Sequence, residues 1–364
     1  MSLTSIISAK PFQELRDKFK TTFPRPDFNI KTEILAPPMT ANHSIIGQAF
    51  DYLLRFHLEH KYKEKVNSSG SWVADSSFRH IHNSAEKSDS SVISVGYRRD
   101  IKKDKKQFLK MLETEYSSSK NNYERYLKSG HLTDELVKSC LFPARLDVTF
   151  RAGMIDANLG NEVDLDIQDV KKLLSIVNPE HFHVKDYCYI NPTFGKGSGL
   201  VGGADADLII DGTLIDLKVT KNLKLERDHL NQTIGYYILS LIGGVNKDEN
   251  IRPIQNVGIY FARHGQLWKH SLSDIASDRT FLEFKEWFID YVDQKVWGGR
   301  LSLMDKEIKE NKKEVAKSAQ KGKTKAKGKK VASVTVKKKK ELTVVRKKSK
   351  PGKKESKVVR RKGK

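Results

Sequence analysis

Asp211-Gly212 is the feature that most constrains this chain. An Asp-Gly pair between two apolar runs is a strong hairpin signal, because both central residues of a type I′ turn need positive φ. With a two-residue turn there, Ile210 faces Thr213 and, counting outward, Asp207 lands opposite Asp216. Asp205 then faces Lys218, so one face of the ribbon holds three carboxylates and an amine. The other face carries Ala206, Leu208 and Ile210 against Ile215, Leu217 and Val219. Residues directly opposite on antiparallel strands sit about 4.5–5.5 Å apart at Cβ. Two carboxylates held that way repel by roughly 3 kcal/mol at an effective dielectric of about 20. Such a pair calls for a cation between its members, and Asp205 reads as a partner for Lys218 or as a further ligand.

The remaining pattern divides the chain. Ser44–Glu59 has helical spacing in Ile46, Ala49, Phe50, Leu53 and Leu54, with Gly47 and Asp51 four apart. Residues 1–40 read as loop and short elements, 67–92 as a Ser/Asn-rich loop, and 100–128 as one or two solvated helices. Acidic first-turn residues open a helix at Thr133, and Val163–Val177 forms another, ended by Asn178-Pro179. From residue 186 the expectation is strands at Asp186–Ile190, Gly199–Ile210 and Leu214–Thr220, then a helix over Asp228–Leu241. A hairpin follows, Val257–Arg263 and Leu267–Leu272 around His264-Gly265, then a helix over Thr280–Tyr291. This order predicts a mixed α/β (α+β) body with a central sheet behind a helical N-terminal half.

Charge divides the chain a second time. The 364 residues carry a formal net charge of +22. Residues 311–364 hold 24 Lys and Arg against 3 Asp and Glu, so the first 310 residues carry only +1. The expected organisation is a globular domain over 1–303 and a Lys-rich tail over 304–364, disordered when free because like charge with few apolar residues cannot bury a core. Runs such as Lys337–Lys340 attract polyanions through counterion release. With few aromatics, the tail is expected to bind without reading sequence.

Cys140 and Cys188 are the two cysteines, and their spacing excludes a disulfide framework, a four-cysteine zinc site and a four-cysteine iron–sulfur cluster. The expectation is an intracellular protein without signal peptide or membrane helix, placed in cytoplasm or nucleoid in a bacterium or in the nucleus of a eukaryotic cell. His80 with His82, and His181 with His183, lack a third ligand and read as ordinary histidines. Arg263-His264-Gly265 is a turn tip beside the sheet, where it could touch phosphate or serve simply as a hairpin turn.

The string Asp207-x8-Asp216-x-Lys218 is preceded by Gly202-Gly203 and followed by a helix bearing Gln232-x-x-x-Tyr236. It resembles the PD-(D/E)XK nuclease superfamily, and within it the RecB-type branch. The resemblance covers residues 186–272 and extends more loosely to Ser44–Glu59. It implies a restriction-endonuclease-like mixed sheet flanked by helices and metal-dependent hydrolysis of phosphodiesters. Asp207, Asp216 and the Leu217 carbonyl would hold Mg²⁺ or Mn²⁺. Lys218 would orient water or stabilise charge on phosphorus, with Gln232 and Tyr236 in support. Asp51 stands where the branch often has a histidine ligand in a Gly-x-x-x-His pattern, and is a candidate metal ligand. The implied partner is DNA, with RNA as the other possible substrate. The rival expectation is a non-catalytic DNA-binding or architectural protein.

Overall fold

The computed structural model describes residues 1–68, 70–96, 101–246 and 252–300. The chain divides into units Met1–Leu303 and Met304–Lys364; the second unit, and with it the expected tail, lies outside the described residues.

Two short helices, α1 (Leu3–Ser8) and α2 (Gln13–Thr22), come first, followed by an extended segment and α3 (His43–Lys61). Then come β1 (Val66–Ser68), α4 (Val73–Glu86), the antiparallel pair β2 (Val92–Val95) and β3 (Ile101–Asp104), α5 (Lys105–Ser129), α6 (Asp134–Ala152) and α7 (Asp164–Ser175). The second half runs β4 (Cys188–Ile190), α8 (Lys196–Leu200), β5 (Leu208–Ile210), β6 (Thr213–Lys218) and α9 (Arg227–Gly243). It closes with β7 (Asn256–Phe261), β8 (Gln266–Ser271), α10 (Leu272–Ile275) and α11 (Asp278–Val296).

Six strands form one mixed sheet in the order β1-β4-β5-β6-β7-β8. The β1–β4 and β6–β7 pairs are parallel and the other three antiparallel. The β5–β6 register pairs Ile210 with Thr213 and Leu208 with Ile215, as the turn predicts. Asp211 (φ 44) and Gly212 (φ 79) both have positive φ, the backbone the Asp-Gly pair was expected to adopt.

Alternation along these strands separates two cores. Leu208, Ile210 and Ile215 pack with α3, α6 and α7, whereas Ile209, Leu214, Val257 and Ile259 pack with α1, α2, α9 and α11. The ribbon therefore has no purely charged face: Ile209 and Leu214 share the parity of the aspartates and are buried. Covered on both sides, a strand can be apolar at every position, which is why Leu208-Ile-Ile210 does not alternate.

Several elements depart from expectation. Residues 1–40 are the loop and short elements expected, and Leu3, Ile6, Leu15 and Phe19 bury α1 and α2 against the second core; the departures lie further along. Within 67–92 a helix, α4, is fixed by Ala74, Ser77, Ile81 and Ala85 at helical spacing. Within 100–128 a strand precedes one long helix, α5, which is N-capped by Asp104 accepting from the Gln107 N–H at 2.8 Å and buries Phe108, Leu112 and Tyr126. The long strand expected over Gly199–Ile210 is reduced to β5. Its glycine-rich start instead forms α8, pressed so closely on α9 that a Cβ on Gly197 would meet the Leu239 carbonyl.

Candidate functional site

The site lies where β6 ends. Because β5 runs antiparallel to it, the residue just before β5, Asp207, sits beside the last residues of β6, Asp216 to Lys218. The Leu217 N–H donates to Asp207 Oδ2 at 2.6 Å, fixing that carboxylate across the gap. Lys218 Nζ lies 2.7 Å from Asp216 Oδ2 and donates to Gln232 Oε1 at 2.9 Å. The Gln232 amide is thereby oriented, since its Nε2 donates to the Tyr236 hydroxyl at 2.9 Å and to Thr4 Oγ1 at 3.3 Å. Gln232 and Tyr236 are a turn apart on α9, so one helical face supports the lysine.

Helix α3 closes the other side. A Cβ on Gly47 would touch the Val219 side chain at 3.7 Å, which places the turn before Asp51 against the end of β6. Asp51 Oδ2 takes the Arg55 Nη2 at 2.7 Å, while its buried Oδ1 has no hydrogen-bond partner. Burial raises the Asp51 pKa, opposed by Arg55 and Arg151 and reinforced by Asp205. Burial also holds the Asp207 carboxyl well above the usual range, and the charges of Asp216 and Asp51 push the same way against the Leu217 N–H and Lys218. Burial lowers the Lys218 pKa, but Asp216 and Asp207 outweigh it and leave the ammonium more basic than usual. Burial with the two aspartates raises Tyr236 too, so its hydroxyl stays a neutral acceptor and donor.

The structure thus brings together Asp51, Asp207, Asp216, Leu217, Lys218, Gln232 and Tyr236. Asp205 is different. It is exposed and outside the β5–β6 ladder, its backbone bridging Thr193, and Lys218 pairs with Asp216 instead. Gly202 and Gly203 both adopt positive φ and turn the chain away before the ladder can extend to Asp205.

Arg263 does not face a site either. It is 1% exposed, and its two Nη atoms grip the carboxylate of Asp169 at 2.8 and 3.1 Å while Nη1 also donates to the Ala36 carbonyl. His82 pairs with Glu113 at 2.7 Å, and the His181 ring stands edge-on to Tyr260. Both cysteines are buried and free.

Sequence reasoning missed Arg55, Tyr52, Asp147, Arg151 and His229. Arg55 was legible as the i+4 partner of Asp51, and His229 as the residue one turn before Gln232. The His229 Nδ1 is buried without a partner, and burial together with Lys218 lowers its pKa. Nothing local marked Asp147, which arrives on α6 and accepts from the Tyr52 hydroxyl with both oxygens at 3.2 Å. Burial pushes Asp147 up to about 7.

Three carboxylates against Lys218 and Arg55, with an unpartnered oxygen on Asp51, are donors of the kind a hard divalent cation takes. Their positions are not a finished ligand cage. Among the described residues no group of three or more His, Cys, Asp or Glu is arranged to hold a metal ion, and the Lys218 ammonium is the cation resting on Asp216. Also among the described residues, no helix is long and apolar enough to cross a membrane. No family model, curated protein or solved structure matches the chain.

Proposed function

We propose that this chain is a divalent-metal-dependent nuclease that hydrolyses DNA phosphodiesters, built on the restriction-endonuclease-like plan of the PD-(D/E)XK superfamily. The observation that carries the reading is the buried Asp216 beside the half-buried Asp207, with Lys218 between Asp216 and Gln232. A fold gains nothing in stability from carboxylates held close together, and the raised Asp51 and Asp207 carboxyls at a strand end are the kind of perturbed acids that mark a reactive site.

In this reading Asp207, Asp216, the Leu217 carbonyl and Asp51 would hold Mg²⁺ or Mn²⁺. When bound, the ion supplies Lewis-acid activation of water and of the phosphate. The Lys218 ammonium, held by Asp216 and Gln232, would be the group to face the charge growing on the phosphoryl oxygens. Gln232 retains one Lys218 proton and so limits where the ammonium can go. Tyr236 fixes the amide of Gln232. The cationic stretch 304–364 supplies sequence-independent affinity for DNA that the nearly neutral body lacks.

The test is incubation of the purified full chain with plasmid, linear duplex, single-stranded DNA and RNA, in Mg²⁺, Mn²⁺ or EDTA. Metal-dependent cleavage of DNA is expected, with Asp216→Asn and Lys218→Ala each slower by about a hundredfold or more. Inactivity on every substrate, or variants that cleave as well as the parent, would overturn the assignment. Cleavage of RNA alone would move it to a ribonuclease.

A further inference from the structure

The α6 helix reaches the site through Asp147, whose buried carboxylate lies against Tyr52, the neighbour of Asp51 on α3. Residues three and four further along a helix lie over the same side, one turn on. For Asp147 these are Phe150 and Arg151, the last full turn of α6 before Gly153 ends it with φ 68. The Arg151 charge is felt by both Asp147 and Asp51, drawing each carboxyl down. Arg151 is exposed, and so is Phe150, at 67%. Across from them on α3, Arg55 packs its guanidinium over the Tyr52 ring at 4.5 Å.

Single exposed apolar residues are common and need no explanation. Phe150 differs in where it stands, beside Arg151, whose charge reaches the Asp51 and Asp147 carboxylates. Gathered carboxylates repel a polyanion, and the first 310 residues carry a net charge of only +1, so the body has no general positive field to overcome the repulsion. Local cations near those carboxylates are what can admit a phosphate. An aromatic ring next to them offers a face on which a base can stack, and stacking is tolerant of sequence. Bases within a duplex have their faces covered, so this contact suits an unpaired strand or a frayed end.

We propose that the last turn of α6 is the contact for an unpaired nucleic-acid strand approaching the site, with Arg151 meeting a phosphate and Phe150 stacking on a base. The inference rests on the nuclease reading of the Asp207–Asp216 site and narrows its substrate to single strands and ends.

Photo-crosslinking tests the contact without requiring cleavage. The full chain in EDTA is irradiated with an oligothymidylate carrying 5-iododeoxyuridine, alone or annealed to its complement, and the adducts are mapped by mass spectrometry. An adduct on Phe150 that disappears on annealing is expected. In parallel, fluorescence anisotropy over a range of salt compares the parent with Phe150→Leu and Arg151→Gln, both exposed positions where folding is not at stake. Phe150→Leu should reduce the preference for single strand over duplex by about fivefold or more, the effect of losing one stacked base. Arg151→Gln should lower the salt slope by about one for either form. Adducts confined to residues 304–364, or an unchanged preference in Phe150→Leu, would overturn the proposal. An adduct on Phe150 in a protein that cleaves nothing would uphold the contact and remove the nuclease reading instead.

Discussion

Buried charge is handled in opposite ways at the two ends of this molecule's core. Around α7 it is matched. Asp169 accepts from both Nη atoms of Arg263 and from the Met39 N–H, and Asp166 accepts from Arg145 Nη2 at 2.9 Å and from Asn42. Each of these carboxylates meets a guanidinium and a donor from the extended segment before α3, so the two pairs pin that segment to the body. At the end of β6 three carboxylates share Lys218 and Arg55, one of their oxygens has no partner, and two of their pKa values are driven upward. Balanced buried pairs hold a chain in place; an unbalanced set leaves affinity for something not yet bound.

The sharpest way to break the comparison is to unbalance the balanced pair. Arg263→Ala strands Asp169 at 0% exposure without its cation. Breaking a buried pair from one side costs about 3–5 kcal/mol, because the remaining charge is uncompensated. Denaturant titration should show a loss of that size, with added Mg²⁺ or Mn²⁺ restoring none of it. A loss below about 1 kcal/mol would mean that Asp169 finds another partner and that the pair is not what pins the segment.

A second test uses pH. The Asp147 carboxyl is pushed up to about 7 in the folded protein, from an ordinary value near 3.8. A raised folded pKa means that the native state binds the proton more tightly than the unfolded chain does. The ionised group is therefore a liability that is absent below about pH 4, grows between pH 4 and 7, and is complete above 7. Asp147→Asn keeps an acceptor for Tyr52 and removes the charge. It should match the parent in stability at pH 4 and exceed it by about 1–3 kcal/mol at pH 8. A gain that does not vary with pH would show that the benefit comes from packing and not from ionisation.

How much of this was legible follows the range of each interaction. The β5–β6 register was readable because two residues, Asp211 and Gly212, determine it locally, and the pairing of Ile210 with Thr213 follows from them. The Gln232–Tyr236 face was readable for the same reason, being a single turn of one helix. What failed was either masked or distant. The helix α4 was hidden by Ser and Asn that lie between its buried Ala74, Ile81 and Ala85. The strand expected from Gly199 gave way to α8, where Gly197 allows the close approach to α9 that only the tertiary fold reveals. Asp205 was placed opposite Lys218 by extending a ladder that ends three residues earlier, at Leu208. Asp147, Arg151 and the Arg263–Asp169 pair unite residues far apart in sequence, and no local spacing announces them.

The finest test sets the two central aspartates against each other. Both were expected to suffer from their opposition, but the structure gives them unequal shares. Asp216 has the Lys218 ammonium at 2.7 Å, whereas Asp207 has the Leu217 N–H and carries the upward pressure of burial and of two neighbouring carboxylates. Asp207→Asn can still accept from Leu217, and it removes a charge that the fold resists. Asp216→Asn deprives a half-buried lysine of its counterion. Without metal at pH 8, Asp207→Asn should therefore be more stable than the parent by about 1 kcal/mol, a rise of about 2–4 °C in Tm for a body of this size, while Asp216→Asn gains nothing. With Mn²⁺ present the order should reverse, because the parent gains from a bound ion through mass action and neither variant does. Equal shifts in the two variants without metal would mean that Lys218 is shared between the aspartates. A parent indifferent to Mn²⁺ would separate the electrostatics of the pair from any role in holding a cation.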